Sequence, residues 1–252
     1  MHIDRTEYLG VSFDRLTEGQ VIDRLRLVTP DTPFGYIVTP NVDHVVRLHS
    51  DESEAEVAAA YAKASLCVCD SRVLASLARF HGIRLPIVTG SDLTAALLDQ
   101  VLNPGDRVAV VGGDSDIVER LKGRYPQIDF IHHSPPMGLR HDPVARQAAA
   151  DFIAQAKCRF TFLAVGSPQQ ELIAAQVTGA TGFGLCIGAG LEFLTGDQVR
   201  APRAFQKTGM EWAYRLASNP RRLWRRYLVE GPKIFRLASR WRPASADRGQ
   251  RA

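Results

Sequence analysis

"FLAVGSPQQE", residues 162–171, begins as an apolar run and stops at a turn. Phe162 to Val165 is short, aromatic and β-branched, the composition of a buried strand. Gly166 and Pro168 break the run, and Gln169, Gln170 and Glu171 follow at once. This reads as a strand that delivers polar side chains to its carboxyl end just as the chain turns.

The unit recurs along the chain. "GYIVT" (35–39) precedes a helical stretch that starts at Val42 and continues through "EAEVAAAYAKA". "SLCVC" (65–69) precedes the helix "SRVLASLARFHG", with Gly82 as a left-handed cap. "RVAVVGG" (107–113) precedes the helix "SDIVERLKGRY", and "IDFIHH" (128–133) is a weaker strand. The helix "VARQAAADFIAQAK" follows, then the strands "RFTFLAVG" (159–166) and "GLCIGAG" (184–190). Strand alternating with helix predicts an α/β fold whose parallel sheet is covered by helices on both faces. No internal repeat is evident.

Beyond Gly190 the strands stop, and Trp212, Trp224, Trp241 and many arginines appear. The expected boundaries are a body at 1–195, a basic helical appendage at 196–242 and a disordered polar tail at 243–252. Residues 196–252 hold 14 Lys and Arg against 4 Asp and Glu, whereas the rest holds 17 against 23. A mildly acidic body therefore carries a strongly basic end, which points to an anionic partner. In "NPRRLWRRYLVEGPKIFRLASRW", Leu223, Trp224, Tyr227 and Leu228 form an apolar stripe between arginines, and Ile234, Phe235, Leu237 and Trp241 extend it. A basic amphipathic helix with aromatics suits an anionic membrane interface. The alternative is a stripe packed on the body with solvated arginines. No helix-turn-helix, RRM or KH pattern supports a nucleic-acid partner.

The chain of 252 residues is 45% apolar, enough for one large domain with an appendage. No apolar run approaches the roughly 18 residues that span a bilayer, and "MHIDRTEYLG" lacks the pattern of a signal peptide. The four cysteines have no C-x-x-C spacing and read as small buried residues of a reducing compartment.

In open parallel sheets, ligands bind beyond the carboxyl ends of the strands. That rule gathers Thr39, Asn41, Asp70, Gly112, Gly113, Gln170 and Glu171 on one rim. Each has a simpler reading. Asn41 and Asp70 are also candidate helix caps, Gly112 and Gly113 suit a tight turn, and Glu171 suits the first turn of a helix. The glycines lack the G-x-G-x-x-G order and the P-loop lysine. No HExxH or G-x-S-x-G pattern occurs. His132 and His133 point to opposite sides of a strand, and Asp114 with Asp116 falls where a helix is capped, so no metal site is expected.

"TPNVDHV" (39–45), "TGSDL" (89–93), "GSPQQE" (166–171) and "GAGLEFLTGDQVRAPRAFQKTGMEWAYRLASNPRRLWRRYL" (188–228) together resemble the WecG/TagA/CpsF family of bacterial glycosyltransferases. The resemblance implies a Rossmann-like body with a C-terminal membrane-binding appendage. It implies metal-independent, inverting transfer of a hexosyl or N-acetylhexosaminyl group, with no cofactor. The donor is a UDP-sugar, and the acceptor a sugar on a polyprenyl diphosphate at the inner face of the cytoplasmic membrane, in surface-polysaccharide assembly. By that likeness Asp70 is the general base, and Thr39, Asn41 and Gln170 line the donor pocket, with Gly112, Gly113 and Glu171 on the same rim. Arg200, Arg215, Arg222 and Arg226 meet phosphate. A homo-oligomer is compatible with the sequence. Two positions depart from the family pattern. Ser71 stands where glycine usually follows the aspartate, and Ile87 where an arginine precedes "TGSDL", with Arg72 and Arg84 as candidate replacements. A different class, a non-catalytic nucleotide-binding module whose basic tail docks a partner or nucleic acid, is the alternative reading.

Overall fold

A computed structural model describes residues 4–49, 54–196 and 210–243, together with Pro202 and Phe205. Its centre is a six-stranded, wholly parallel sheet. A separate antiparallel hairpin, β1 (Arg5–Tyr8) and β2 (Val11–Asp14), precedes it. The helix α1 (Glu18–Arg26) then leads to β3 (Gly35–Val38), α2 (Val42–Leu48), α3 (Glu54–Lys63) and β4 (Leu66–Cys67). Next come α4 (Arg72–Phe80), α5 (Gly90–Gln100), β5 (Arg107–Gly112), α6 (Ser115–Arg124) and β6 (Asp129–His133). The body closes with α7 (Pro143–Ala156), β7 (Phe160–Ala164), α8 (Gln169–Gln176), β8 (Phe183–Cys186) and α9 (Gly190–Thr195). The C-terminal segment holds α10 (Glu211–Ser218), α11 (Pro220–Trp224), a π-helical turn (Arg225–Glu230) and α12 (Lys233–Arg240).

The strand order is β4-β3-β8-β7-β5-β6. Parallel crossovers are right-handed, so the direction in which each connection moves along the sheet sets the face of its helix. β3→β4, β6→β7 and β7→β8 all move one way, which places α2, α3, α7 and α8 on one face. β5→β6 moves the other way, which places α6 opposite. The core divides accordingly. Val45, Val46, Ala149, Ile153 and Ile173 pack on one side, and Val21, Leu97, Ile117 and Leu121 on the other. The expected Rossmann-like α/β sheet is therefore present.

The long helix expected from Val42 onward divides in two. α2 ends at Leu48, with His49 as its C-cap, and α3 begins at Glu54. The expected strand 65–69 is shorter, because only Leu66 and Cys67 pair with β3, while Cys69 bridges to Ile87. All four cysteines are buried thiols.

The C-terminal segment is docked on the body. α12 packs against α2 and α4. Ile234 and Ala238 enter the core, with Leu237 and Trp241 packed beside it. Burying one isoleucine contributes about 1.5–3 kcal/mol. The single apolar stripe expected from sequence is thus split between two faces. Trp224, Leu228 and Phe235 remain 49%, 57% and 57% exposed. Most of the expected disordered tail, residues 244–252, lies outside the described residues.

Candidate functional site

The site grows from the carboxyl ends of β3 and β4. Asn41 has extended backbone (φ −118°, ψ −173°), and its Oδ1 accepts from the N–H groups of Asp43 (3.0 Å) and His44 (3.4 Å). Asn41 therefore caps α2, as one of its two readings held. The cap uses the carbonyl oxygen of that amide, and Asn41 also lines the cavity described below. Asp70 does not cap α4. Ser71 does, through Oγ accepting from Leu74 N–H at 3.2 Å. The cap falls one residue later than expected, so the Asp70 carboxylate is not spent on it. The Asp70 N–H donates to the Pro40 carbonyl at 3.0 Å, and Asp70 Oδ2 accepts from Gly90 N–H at 3.2 Å. These two bonds fix the carboxylate between the β3 turn and the start of α5.

Above this rim lies a cavity of about 440 Å³. Its floor includes Asn41, Asp43, Asp70, Thr89 and Asp92. Its opposite wall comes from the C-terminal segment, through Trp212, Arg215, Arg226, Tyr227 and Phe235. Body and appendage share one site. Thr89 and Asp92 had no role in the sequence reading. Thr89 caps α5, and its Oγ1 accepts from Asp92 N–H at 3.1 Å and donates to Asp92 Oδ2 at 2.7 Å. The Thr-x-x-Asp spacing of "TGSDL" is the capping signal that could have found them.

Three carboxylates (Asp43, Asp70 and Asp92) and three guanidinium groups (Arg72, Arg215 and Arg226) thus line one cavity. Asp43 Oδ2 meets Arg47 Nη2 at 2.5 Å and Arg226 Nη2 at 3.5 Å. Arg47 Nη1 donates to the Ser167 carbonyl at 2.5 Å. Arg226 Nε is buried with no hydrogen-bond partner among the described residues. Arg215 lies over the Phe193 ring, 4.9 Å from its centroid. Behind this cluster His44 is largely buried. Burial, with Arg226 and Arg47 nearby, lowers its pKa to about 3, so the ring is neutral. Tyr61 Oη lies 3.3 Å from His44 Nδ1.

Gln170 and Glu171, which open α8, are buried rather than exposed on the rim, at 1% and 0% exposure. Gly188 N–H donates to Gln170 Oε1 at 2.9 Å, and Gln170 Nε2 donates to Glu171 Oε1 at 2.9 Å. The amide therefore locks the β8–α9 turn from behind. Burial raises the Glu171 pKa, partly offset by the Gln170 hydrogen bond. Thr39 is buried too, with Oγ1 donating to the Cys186 carbonyl at 3.2 Å. None of the three lines the cavity. Gly112 and Gly113 end β5, three strands from β3 in the sheet order, or about 14 Å at the usual strand spacing. Gly112 has φ +87°, and a Cβ there would stand 2.6 Å from Val165 Cγ1. Its glycine is required by the turn. Of the four arginines, Arg215 and Arg226 line the cavity. Arg200 and the side chain of Arg222 lie outside the described residues. Ile87 forms part of the wall, and so does Arg72, whereas Arg84 does not.

Among the described residues, no helix is long and apolar enough to cross a membrane, and no three His, Cys, Asp or Glu side chains cluster as metal ligands. A carboxylate and guanidinium groups across one cavity suit proton removal beside an anionic leaving group. The family model described as "Glycosyl transferase WecG/TagA/CpsF family" matches residues 6–248.

Proposed function

The chain belongs to the WecG/TagA/CpsF family of glycosyltransferases of cell-surface polysaccharide biosynthesis, and from that premise we propose that it moves a sugar from a UDP-sugar onto a polyprenyl-diphosphate-linked acceptor. The observation that carries the reading is the shared cavity, where Asp70 of the body lies with Arg215 and Arg226 of the C-terminal segment.

In the proposed step, an acceptor hydroxyl oxygen bonds to the anomeric carbon as the bond from that carbon to the UDP oxygen breaks. UDP leaves with the electron pair, and Asp70 takes the acceptor proton. Attack opposite the leaving group inverts the anomeric centre. Arg215 and Arg226 meet the phosphates, for which the rigid guanidinium fork is suited. Asn41 contacts the donor from the cavity wall. Thr39 and Gln170 support that wall from behind, and Gln170 holds Gly188 in place. Trp224 and Val229, exposed beside the arginines and outside the cavity lining, rest on an anionic lipid surface at the inner face of the cytoplasmic membrane.

A thermal-shift panel of UDP-sugars, followed by assay of UDP release with a synthetic lipid-diphosphate sugar, tests this reading. It expects stabilisation by at least one donor and UDP release only when the acceptor is present. Failure of every donor to bind would reject it.

A further inference from the structure

Two segments far apart in the chain, α2 and the π-helical turn, meet at one carboxylate. Asp43 opens α2, Arg47 lies one turn later, and Arg226 comes from the π-helical turn. Asp43 Oδ2 serves both arginines, at 2.5 Å and 3.5 Å. Arg47 in turn holds the Ser167 carbonyl, in the turn that precedes Gln170. The Asp43 side chain is only 16% exposed, so its charge is weakly screened.

The Arg226 contacts are incomplete. One Nη reaches Asp43, while Nε is buried without a partner among the described residues. A guanidinium presents several N–H groups in one plane, and a buried one left unmet is costly. One edge is held by the body, and among the described residues Nε has no acceptor. Both Asp43 and Arg226 line the cavity, so the partly exposed guanidinium stands where an anionic ligand would sit. Within this trio two guanidinium groups share one carboxylate, so Asp43 does not neutralise Arg226 by itself.

We propose that Asp43 is the positioning residue for Arg226. By holding one edge of the guanidinium on α2, it aims the exposed part of that group at a phosphate oxygen of the donor or acceptor and keeps the appendage closed on the body. This rests on the transferase reading above. Asp43 touches no reacting atom; it acts through Arg226.

The test uses the full chain with Asp43→Asn, Arg226→Gln and the double variant. Hydrogen exchange in the free protein gives a readout independent of turnover. Asp43→Asn speeds exchange at 225–230 and leaves the sheet strands unchanged. With a UDP-sugar and lipid-diphosphate acceptor, Asp43→Asn lowers kcat by about a hundredfold, the scale set by a misplaced group. The donor KM stays near the parental value. The double variant is no slower than Arg226→Gln alone, because the two residues act as a unit. Unchanged exchange at 225–230, a parental kcat in Asp43→Asn, or additive losses would each overturn the proposal. A parent that turns over no UDP-sugar sinks the transferase reading instead, and the exchange result then decides the latch by itself.

Discussion

Trp241 stands edge-on to Tyr8, with ring centroids 5.1 Å apart and planes at 68°. His81 completes the group, 5.2 Å from Trp241 and 5.7 Å from Tyr8. The last helix is thereby tied to the first hairpin and to the end of α4. A wall of the cavity depends on a contact between the two ends of the chain.

Trp241→Ala removes that contact. It lowers stability by about 2 kcal/mol, below the range for a fully buried tryptophan because Trp241 is only partly buried. The same variant loosens α12. Chemical denaturation gives the first number, and exchange at 233–240 the second. A variant as stable as the parent with unchanged exchange contradicts the docked arrangement.

The exposed aromatic and aliphatic groups of the C-terminal segment are the proposed lipid contacts. Replacing Trp224 and Val229 together by serine weakens binding to vesicles rich in anionic lipid, while Ile234 and Trp241 keep the segment folded on the body. Co-sedimentation with vesicles reads the effect. Equal binding by parent and double variant would leave the arginines alone as the membrane contact.

The pH dependence of stability has two opposed contributors. His44 has a lowered pKa of about 3 in the folded state, against about 6.5 unfolded. Its stabilisation is full above 6.5 and is lost as pH falls toward 3, by about 1.4 kcal/mol per unit within that window. Glu171 has a raised folded pKa. Its contribution is full below the unfolded value, near 4.3, and is lost as pH rises through the folded one. Thermal melts across pH therefore show a shallower acid loss in His44→Gln and a steeper one in Glu171→Gln. The reverse ordering would contradict the neutral, buried state of His44.

Much of this was legible in the sequence. The alternation of strands and helices follows from apolar runs bounded by glycine and proline, and these are local signals. The Asn41 cap is local as well. The misplaced cap at Asp70 shows the limit of such signals, since Ser71 next to it is an equally good cap and only the backbone between β4 and α4 decides. The hairpin β1–β2 carries weaker signals; Leu9 and Gly10 form its turn with φ of 51° and 72°. Gln170 is the clearest case of a non-local effect. Its position at a strand's carboxyl end suggested exposure, but the neighbouring β8 supplies Gly188 and closes over it. The cavity itself joins α2, α4 and α12, a tertiary contact that no spacing announces.

Gln170→Ala takes away the acceptor of the Gly188 N–H and leaves both that donor and Glu171 without their amide partner. The cost is about 1–3 kcal/mol, the penalty for an unmet buried group. The β8–α9 turn then exchanges faster, and the donor KM rises. Equilibrium unfolding and steady-state kinetics measure the two effects. A variant with parental stability would show that Gly188 finds another acceptor.

The most direct measurement is the rate of sugar transfer from a UDP-sugar to a lipid-diphosphate acceptor by Asp70→Asn beside the parent, under saturating substrates. The expected result is a fall in kcat of about 10²–10⁴-fold, the usual contribution of a general base. UDP affinity and thermal stability stay near parental values, because Asn preserves the shape and can still accept from Gly90 N–H. A kcat within a few-fold of the parent would remove Asp70 from the chemistry and contradict the assignment of the cavity.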